Sequence, residues 1–246
     1  MCREPVPPPP HRMRVDRSDY RSGMAALSRR VGCDEGGVVM RVLIACEYSA
    51  TVRDAFRARG FDAWSCDLLP TEGDPRWHIQ GDALRVAYGQ QWDLMIAHPP
   101  CTYMTNSGVC HLHKDPSRWA KLDEAAAFFL ALWGAPIPSV AIENPVMHRY
   151  AKERIGGMQQ AQTIQPYQFG HMEQKATCLW LRNLPKLKPT SDLKAETKAL
   201  PDNERQRLHY LPPSPDRWRL RSTTFPGIAA AMADQWGAWI ARKEAA

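Results

Sequence analysis

One cysteine follows a pattern that could expose a reactive thiol. Cys101 comes after His98, Pro99 and Pro100, and these three residues directly follow an apolar run at residues 92–97. The run is typical of a buried strand and the prolines end it, so the cysteine is expected on a rigid turn at the carboxyl edge of a sheet. His98 or a nearby positive charge could help to form the nucleophilic thiolate. Cysteines are often structural, but this context makes Cys101 the candidate nucleophile.

The segments around this turn alternate between strand and helix patterns. Strands are expected at residues 40–46, 61–67, 77–80, 92–97 and 139–142, and two more at residues 164–169 and 177–181 could form a hairpin. Ser49 is expected to cap a helix that ends near Gly60, and residues 117–133 and 226–242 have helical apolar spacing. This alternation predicts an α/β fold with a doubly wound, mostly parallel, Rossmann-like sheet.

Polar residues recur where the predicted strands end. The series consists of Cys46 with Glu47, Asp67, Gly81 with Asp82, Cys101, and Glu143 with Asn144 and Pro145. The carboxyl ends of parallel strands meet at one edge, so the series is expected to form one site. Asp67 or Asp82 taken singly would more often be a helix cap or a solvated acid, but the recurrence favours a site.

The sequence divides into four parts by composition. Residues 1–39 are rich in proline and arginine and lack periodicity, which predicts a disordered tail. Residues 40–185 hold the strand and helix patterns of a catalytic core. Residues 186–222 form a small basic segment punctuated by proline, and residues 223–246 hold a helix expected to pack back on the core.

The composition bounds the partners and the compartment. The net charge is +6 and the pI is about 9.0, which favours a polyanionic partner such as nucleic acid. No segment reaches the roughly 18 apolar residues of a membrane span and no secretory signal is evident, so a cytoplasmic protein without a membrane partner is expected. Cys110, His111 and His113 lack a second ligand pair at a suitable spacing, so no metal site is expected.

The strand ends also suggest a cofactor. An acid after the second strand, Asp67, is suited to the hydroxyls of a ribose, and Asp82 could accept from an adenine amino group. The first turn, residues 45–50, contains no glycine, so a pyrophosphate could not approach it closely. The expected cofactor is therefore an adenosine without phosphates, such as S-adenosylmethionine.

The ordered motifs resemble those of the cytosine-C5 DNA methyltransferases, most closely the compact phage-type or prophage-type members. The resemblance rests on the first strand-helix unit, Asp67, Gly81-Asp82, Pro99-Pro100-Cys101 and Glu143-Asn144-Pro145 in that order. Residues 169–175 stand where the family has Tyr-Gly-x-Pro-Gln-x-Arg, and residues 223–228 are similar to the family's last motif. The resemblance spans roughly residues 40–242.

The resemblance implies S-adenosylmethionine as cofactor, DNA as partner and a role for each motif. Cys101 would attack C6 of a flipped cytosine, and Glu143 would engage N3, with a raised pKa if it is buried. Lys175 would lie near the flipped nucleotide, where the family has an arginine. The residues implied to hold the cofactor are Cys46, Glu47, Ser49, Asp67, Leu68, Asp82 and Pro99.

The sequence departs from the family in four respects. It lacks the glycine-rich first motif, the family's Glu-Asn-Val is Glu143-Asn144-Pro145, and its Gln-x-Arg-x-Arg has become Glu173-Gln174-Lys175-Ala176-Thr177. The family's large recognition insert is reduced to the segment at residues 186–222. So small a segment predicts short-sequence specificity, help from an accessory specificity protein or a substrate other than duplex DNA; a monomer is favoured. Two alternatives stay open, an amino methyltransferase acting at N4 or N6 and a non-catalytic DNA-binding or decoy protein.

Overall fold

The computed structural model describes residues 39–244, so the tail predicted for residues 1–39 lies, apart from Val39, outside the described residues. Seven strands form one sheet: β1 (Arg41–Ala45), β2 (Asp62–Asp67), β3 (His78–Gln80), β4 (Leu94–Ala97), β5 (Ser139–Pro145), β6 (Gln162–Ile164) and β7 (Thr177–Arg182). Their order is β3-β2-β1-β4-β5-β7-β6. The first five pair in parallel, while β7 is antiparallel to β5 and β6 to β7.

Ten α-helices connect and cover these strands within the described residues. They are α1 (Thr51–Arg57), α2 (Ala83–Gly89), α3 (Asn106–Val109), α4 (Ser117–Trp133), α5 (Arg149–Arg154), α6 (Lys194–Ala199), α7 (Asp202–Arg205), α8 (Arg207–Tyr210), α9 (Arg217–Ser222) and α10 (Pro226–Glu244). Within residues 39–244, none of the helices combines the length and the apolar character that a membrane crossing needs.

Alternating strand residues build two hydrophobic cores, one on each face of the sheet. Leu43 of β1 faces the core that α2 and α4 cover, through residues such as Phe129. Its neighbours in sequence face the opposite core, which α1 and α10 cover through Phe56 and Trp236. Helices on both faces of a mostly parallel sheet define a doubly wound α/β fold. The predicted fold class is therefore confirmed.

The structure differs from the predicted elements mainly in short segments. The helix predicted at residues 117–133 coincides with α4, whereas α2 and α3 were not predicted because one or two turns carry too few apolar positions to show a period. The strand predicted at residues 164–169 ends at Ile164, since Pro166 begins a 3₁₀ turn. The antiparallel pairing of β6 with β7 agrees with the predicted hairpin.

The basic segment at residues 186–222 contains the four short helices α6 to α9. Leu187, Thr197 and Leu208 are its buried residues, so most of the segment is exposed surface. The chain then enters α10, which packs against α1 on one face of the sheet. The segment thus lies between β7 and the last helix of the core and can reach the carboxyl edge of the sheet.

Candidate active site

The turn after β4 is held by backbone hydrogen bonds. His98 N donates to the carbonyl of Ala45 at the end of β1, with the atoms 2.9 Å apart. The carbonyl of Cys101 accepts from the backbone N–H groups of Met104 and Thr105, at 3.0 and 3.2 Å. The cysteine is half-buried and reduced. The sequence therefore holds a thiol on a fixed turn at the carboxyl edge of the sheet.

Charged groups from three other parts of the chain act on this thiol. Burial raises the pKa of Cys101, and the negative charge of Glu143 raises it further. The positive charges of Lys175 and Arg221 act in the opposite direction. The structure thus brings together the three residues predicted as catalytic, Cys101, Glu143 and Lys175. It adds Arg221, which lies in the basic segment at residues 186–222 and which no motif of the sequence connects with Cys101.

Glu143 and His98 form a hydrogen-bonded pair beside Cys101. Ala97 of β4 pairs with Ile142 of β5, so His98 and Glu143 are the next residues along the two strands. His98 Nδ1 and Glu143 Oε2 lie 3.2 Å apart, and the two side chains are only 10% and 19% exposed. The register of two parallel strands therefore creates the pair.

This pair corrects two predictions from the sequence. Burial alone would raise the pKa of Glu143, but the hydrogen bond and charge of His98, together with the charge of Lys175, outweigh burial and lower it. The raised pKa that was predicted for a buried Glu143 is therefore wrong. The other correction concerns His98, which was one of the groups expected to help to form the Cys101 thiolate. His98 binds Glu143 instead, and the positive charges that act on Cys101 are those of Lys175 and Arg221.

A short helix links the two halves of the carboxyl edge. Lys175 Nζ donates to the carbonyl of Arg221 at 2.7 Å, which fixes the C-terminal end of α9 beside the catalytic residues. On the other side, the Tyr48 hydroxyl lies 3.2 Å from Ser222 Oγ, and the Tyr48 ring lies 5.5 Å from that of Trp218. We call α9 with these contacts the α9 bridge. It spans from the turn after β1 to Lys175, which lies two residues before β7.

Glu47 closes the turn between β1 and α1. Its carboxylate accepts from the backbone N–H of Val52 at 2.7 Å and of Arg53 at 3.2 Å, at the N-terminus of α1. Burial raises the pKa of Glu47. The expectation that Ser49 caps this helix is wrong, because Ala50 occupies the capping position and Glu47 supplies the acceptor. Glu47, predicted to contact the cofactor, is instead a helix cap.

Two residues of this turn have the left-handed conformation that glycine usually adopts. Cys46 has φ 59° and Ala50 has φ 64°. The turn therefore keeps a glycine-like backbone while side chains occupy the space that a glycine-rich turn leaves free. Burial raises the pKa of Cys46, followed by the negative charges of Asp67 and Asp82, so these groups lie close together.

The cofactor residues predicted beyond this turn have a donor and acceptor set suited to an adenosine. Asp67 Oδ1 accepts from Leu69 N at 2.9 Å, and Asp82 Oδ1 accepts from Leu84 N at 2.8 Å, which caps α2. Within residues 39–244, the Oδ2 atoms of both acids remain available as acceptors. Leu68 is 74% exposed beside Asp67 and offers an apolar contact to a base.

The other two residues predicted for the cofactor contribute less. Pro99 is buried, and the Ser49 hydroxyl bonds within the first turn, to Glu47 Oε1 at 3.3 Å and to Thr51 Oγ1 at 3.2 Å. The set as a whole fits the ribose and adenine of S-adenosylmethionine. It does not fit a phosphate group, because Glu47 already occupies the amides at the N-terminus of α1.

The region of Cys110, His111 and His113 contains no cluster of metal ligands. In the part of the chain that the structure describes, no three His, Cys, Asp or Glu side chains are grouped to hold a metal ion. His113 packs edge-on against Trp119, with ring centroids 5.5 Å apart, and the thiol of Cys110 contacts the carbonyl of Ser107 at 3.8 Å. These contacts are structural.

Comparisons with known proteins find similarity among solved structures. No protein-family model matches the chain, and no curated protein matches it. A protein named as a DNA modification methyltransferase encoded within a prophage in E. coli matches 66% of this chain and 56% of its own at 14% identity, with a TM-score of 0.37. The methyltransferase EhMeth of Entamoeba histolytica matches 63% of this chain and 58% of its own at 10% identity, with a TM-score of 0.36. Both matches span less than two thirds of the neighbouring protein.

Proposed function

We propose that this chain is an S-adenosylmethionine-dependent methyltransferase that modifies C5 of cytosine in DNA. The observation that carries the proposal is the convergence of a half-buried thiol, a carboxylate and two cations at one edge of the sheet. The thiol is that of Cys101, the carboxylate that of Glu143, and the cations are Lys175 and Arg221. C5 of cytosine reacts as a nucleophile only after another group adds to C6, and a thiolate is suited to that addition.

Each residue has one task in this reaction. Cys101 adds its sulfur to C6, and the positive charges of Lys175 and Arg221 favour the thiolate over the thiol. Glu143 engages N3 of the ring, and in its protonated form it supplies the proton that this nitrogen takes up as negative charge develops there. S-adenosylmethionine, when bound, supplies the methyl group to C5. Asp67, Leu68 and Asp82 would hold its adenosine.

DNA as the substrate is supported by charge and by exposed surface near the thiol. The chain carries a net charge of +6. The α9 bridge, which reaches the catalytic residues through Lys175, presents Trp218 at 54% exposure and contains Arg217, Arg219 and Arg221. Arginines bind phosphates and an exposed aromatic ring can stack on a base. Because the target atom is hidden in a duplex, the cytosine would have to be flipped out, which costs a few kcal/mol.

The small segment at residues 186–222 is proposed as the recognition element. Its helices are short and most of its surface is exposed, so it offers few positions for reading bases. We therefore expect short-sequence specificity, or an accessory protein that supplies the rest. A monomer acting in the cytoplasm is the proposed state.

The test is methyl transfer by the purified protein. With labelled S-adenosylmethionine and DNA, label is expected at C5 of cytosine, and DNA containing 5-fluorocytosine is expected to trap a covalent adduct on Cys101. Cys101→Ser should abolish both, while Cys110→Ser, which changes an exposed cysteine of the following loop, should abolish neither. The absence of both label and adduct in the wild type would refute the proposal.

The same variants separate the two alternatives. An amino methyltransferase acting at N4 or N6 needs no thiol, so its activity would survive Cys101→Ser. A non-catalytic DNA-binding protein would bind DNA without taking up the cofactor, which calorimetry with S-adenosylmethionine measures directly. Cytosine-C5 methylation is favoured over both because charged groups surround the thiol of Cys101.

A further inference from the structure

His98 lies between two acids of the site. Its Nδ1 is 3.2 Å from Glu143 Oε2, and its ring also acts on Glu47 on the far side, where it opposes the rise in pKa that burial causes. The side chain is only 10% exposed. Within residues 39–244, the second ring nitrogen, Nε2, is buried and has no hydrogen-bond partner. The contact with Glu143 is therefore the hydrogen bond that fixes the ring.

This geometry determines which nitrogen of the ring carries the proton. Oε2 of Glu143 accepts from Nδ1 both in the ionised carboxylate and in the acid that carries its proton on Oε1, so Nδ1 is the donor. With Oε2 of Glu143 held in this way, Oε1 is the oxygen left for another partner, because no hydrogen bond to it is formed within the described residues. His98 thus binds one oxygen of Glu143 and leaves the other for a different partner.

We propose that His98 is a positioning residue that holds one oxygen of Glu143 so that the other meets N3 of the target cytosine. This inference rests on the proposed function and adds to it a residue specific to this chain. Glu47, Lys175, Cys101 and Cys178 are the other titratable groups around the pair, on the turn after β1, two residues before β7, on the turn that carries His98 itself and on β7.

The proton transfer balances as follows. The sulfur of Cys101 forms a bond to C6, the C5=C6 electron pair moves to C4–C5, and the C4=N3 pair moves onto N3. In its protonated form Glu143 carries the proton on Oε1, and N3 takes that proton, which leaves a carboxylate. The hydrogen bond from His98 Nδ1 then becomes charge-assisted and stronger, so it stabilises the state in which the proton has left. C5 forms its bond to the methyl group that the proposed cofactor would supply as the S–CH3 bond of that cofactor breaks. When C5 loses its proton to a water molecule and the sulfur departs as a thiolate, N3 returns the proton to Glu143.

Nuclear magnetic resonance tests the pairing without any methylation. In protein labelled with ¹⁵N in histidine, neutral His98 is expected in the Nδ1–H form in the wild type, because Glu143 accepts from that nitrogen. Glu143→Gln is expected to weaken this preference, since a neutral amide is a poorer acceptor than a carboxylate. An Nε2–H form in the wild type, or no change in Glu143→Gln, would overturn the pairing.

Kinetics test the positioning role. His98→Ala should lower kcat about 10- to 100-fold and change the KM for DNA less than threefold, because the substrate does not contact His98. His98→Asn, whose amide N–H can replace Nδ1–H, should restore kcat to within about fivefold of the wild type. His98→Ala should also move the alkaline fall of kcat to higher pH, since His98 lowers the pKa of Glu143.

The outcomes are distinguishable. Equal losses of kcat in His98→Ala and His98→Asn, with an unmoved pH profile, would overturn the positioning role even if the wild type methylates cytosine. A wild type that methylates no DNA would overturn the proposed function instead, and the tautomer measurement would still decide whether His98 holds Glu143. Circular dichroism of both variants checks that a lost rate is not a lost fold.

Discussion

Replacing Gly108 by alanine tests whether the turn of Cys101 is held in one position. Gly108 is buried in α3, and a Cβ atom added there would lie 2.3 Å from the carbonyl oxygen of Thr102 and 3.5 Å from its carbonyl carbon. Thr102 is the residue after Cys101, so the clash falls on the backbone that carries the proposed nucleophile.

The size of the effect follows from this distance. Ordinary van der Waals contact requires about 3.4 Å, so the two segments must separate by about 1 Å. Displacements of that size can cost about 100-fold in rate when they misplace a reacting group. Overpacking against backbone also costs about 1–3 kcal/mol of unfolding free energy. Gly108→Ala is therefore expected to be less stable and about 100-fold slower to form the adduct with 5-fluorocytosine DNA.

A matched control is available in Gly89, the last residue of α2, where an added Cβ would meet nothing within 4 Å. Gly89→Ala should keep the adduct rate of the wild type and its stability or slightly more, since alanine favours a helix over glycine. Denaturant unfolding measures the stability, and site-resolved alkylation of Cys101 by mass spectrometry reports its environment without DNA. If Gly108→Ala matched Gly89→Ala in stability and adduct rate, the turn would not be rigidly held.

Three further predictions concern the charges around the site. Lys175→Met removes a positive charge that lowers the pKa of Cys101, so alkylation of this thiol at fixed neutral pH should slow about tenfold for each unit by which the pKa rises. Glu47→Ala removes the cap of α1 and should cost about 1–2 kcal/mol in denaturant unfolding, whereas Ser49→Ala should cost under about 0.5 kcal/mol. Burial raises the pKa of Glu173 in the folded state, so the native form binds its proton more tightly than the unfolded chain does. The free energy of unfolding should therefore fall as pH rises above about 4.3. Glu173→Gln should lack this contribution to the pH dependence when unfolding is measured from about pH 4 to 7.

Each of these predictions has a control and a contrary outcome. Lys186→Met changes an exposed lysine and should leave the alkylation of Cys101 unchanged. Equal slowing in both lysine variants would contradict a specific effect of Lys175 on the pKa of Cys101. Equal losses of unfolding free energy in Glu47→Ala and Ser49→Ala would contradict the assignment of the cap to Glu47 rather than to Ser49. A constant difference in stability between the wild type and Glu173→Gln over the whole pH range would show that Glu173 is ionised in the folded protein as in the unfolded one.

The sequence predicts those features that follow from local pattern. The apolar spacing of residues 117–133 is long enough to define a helix, and it coincides with α4. The turn of Cys101 was predictable because two prolines follow a fully apolar run, and β4 is buried along its length. Such signals lie within one element and do not depend on how the elements pack.

What the sequence does not predict depends on contacts between distant residues. Arg221 is far from Cys101 in the sequence and acts on it because α9 is anchored by Lys175. The pKa of Glu143 is lowered by His98, and their contact follows from the register of β4 with β5, which periodicity alone does not fix. Glu47 caps α1 across a turn of unusual backbone conformation, which no capping motif in the sequence indicates.

The cap on α1 has a consequence for competition between ligands. Nucleoside triphosphates and dinucleotides commonly bind through a phosphate at a helix N-terminus that follows the first strand of such sheets. Here the carboxylate of Glu47 occupies that place, and because it belongs to the chain itself it is always present at the site. A phosphate would have to displace Glu47 and break two of its hydrogen bonds before binding. The proposed preference for an uncharged adenosine end over phosphorylated nucleotides would thereby follow from a carboxylate that is part of the folded protein.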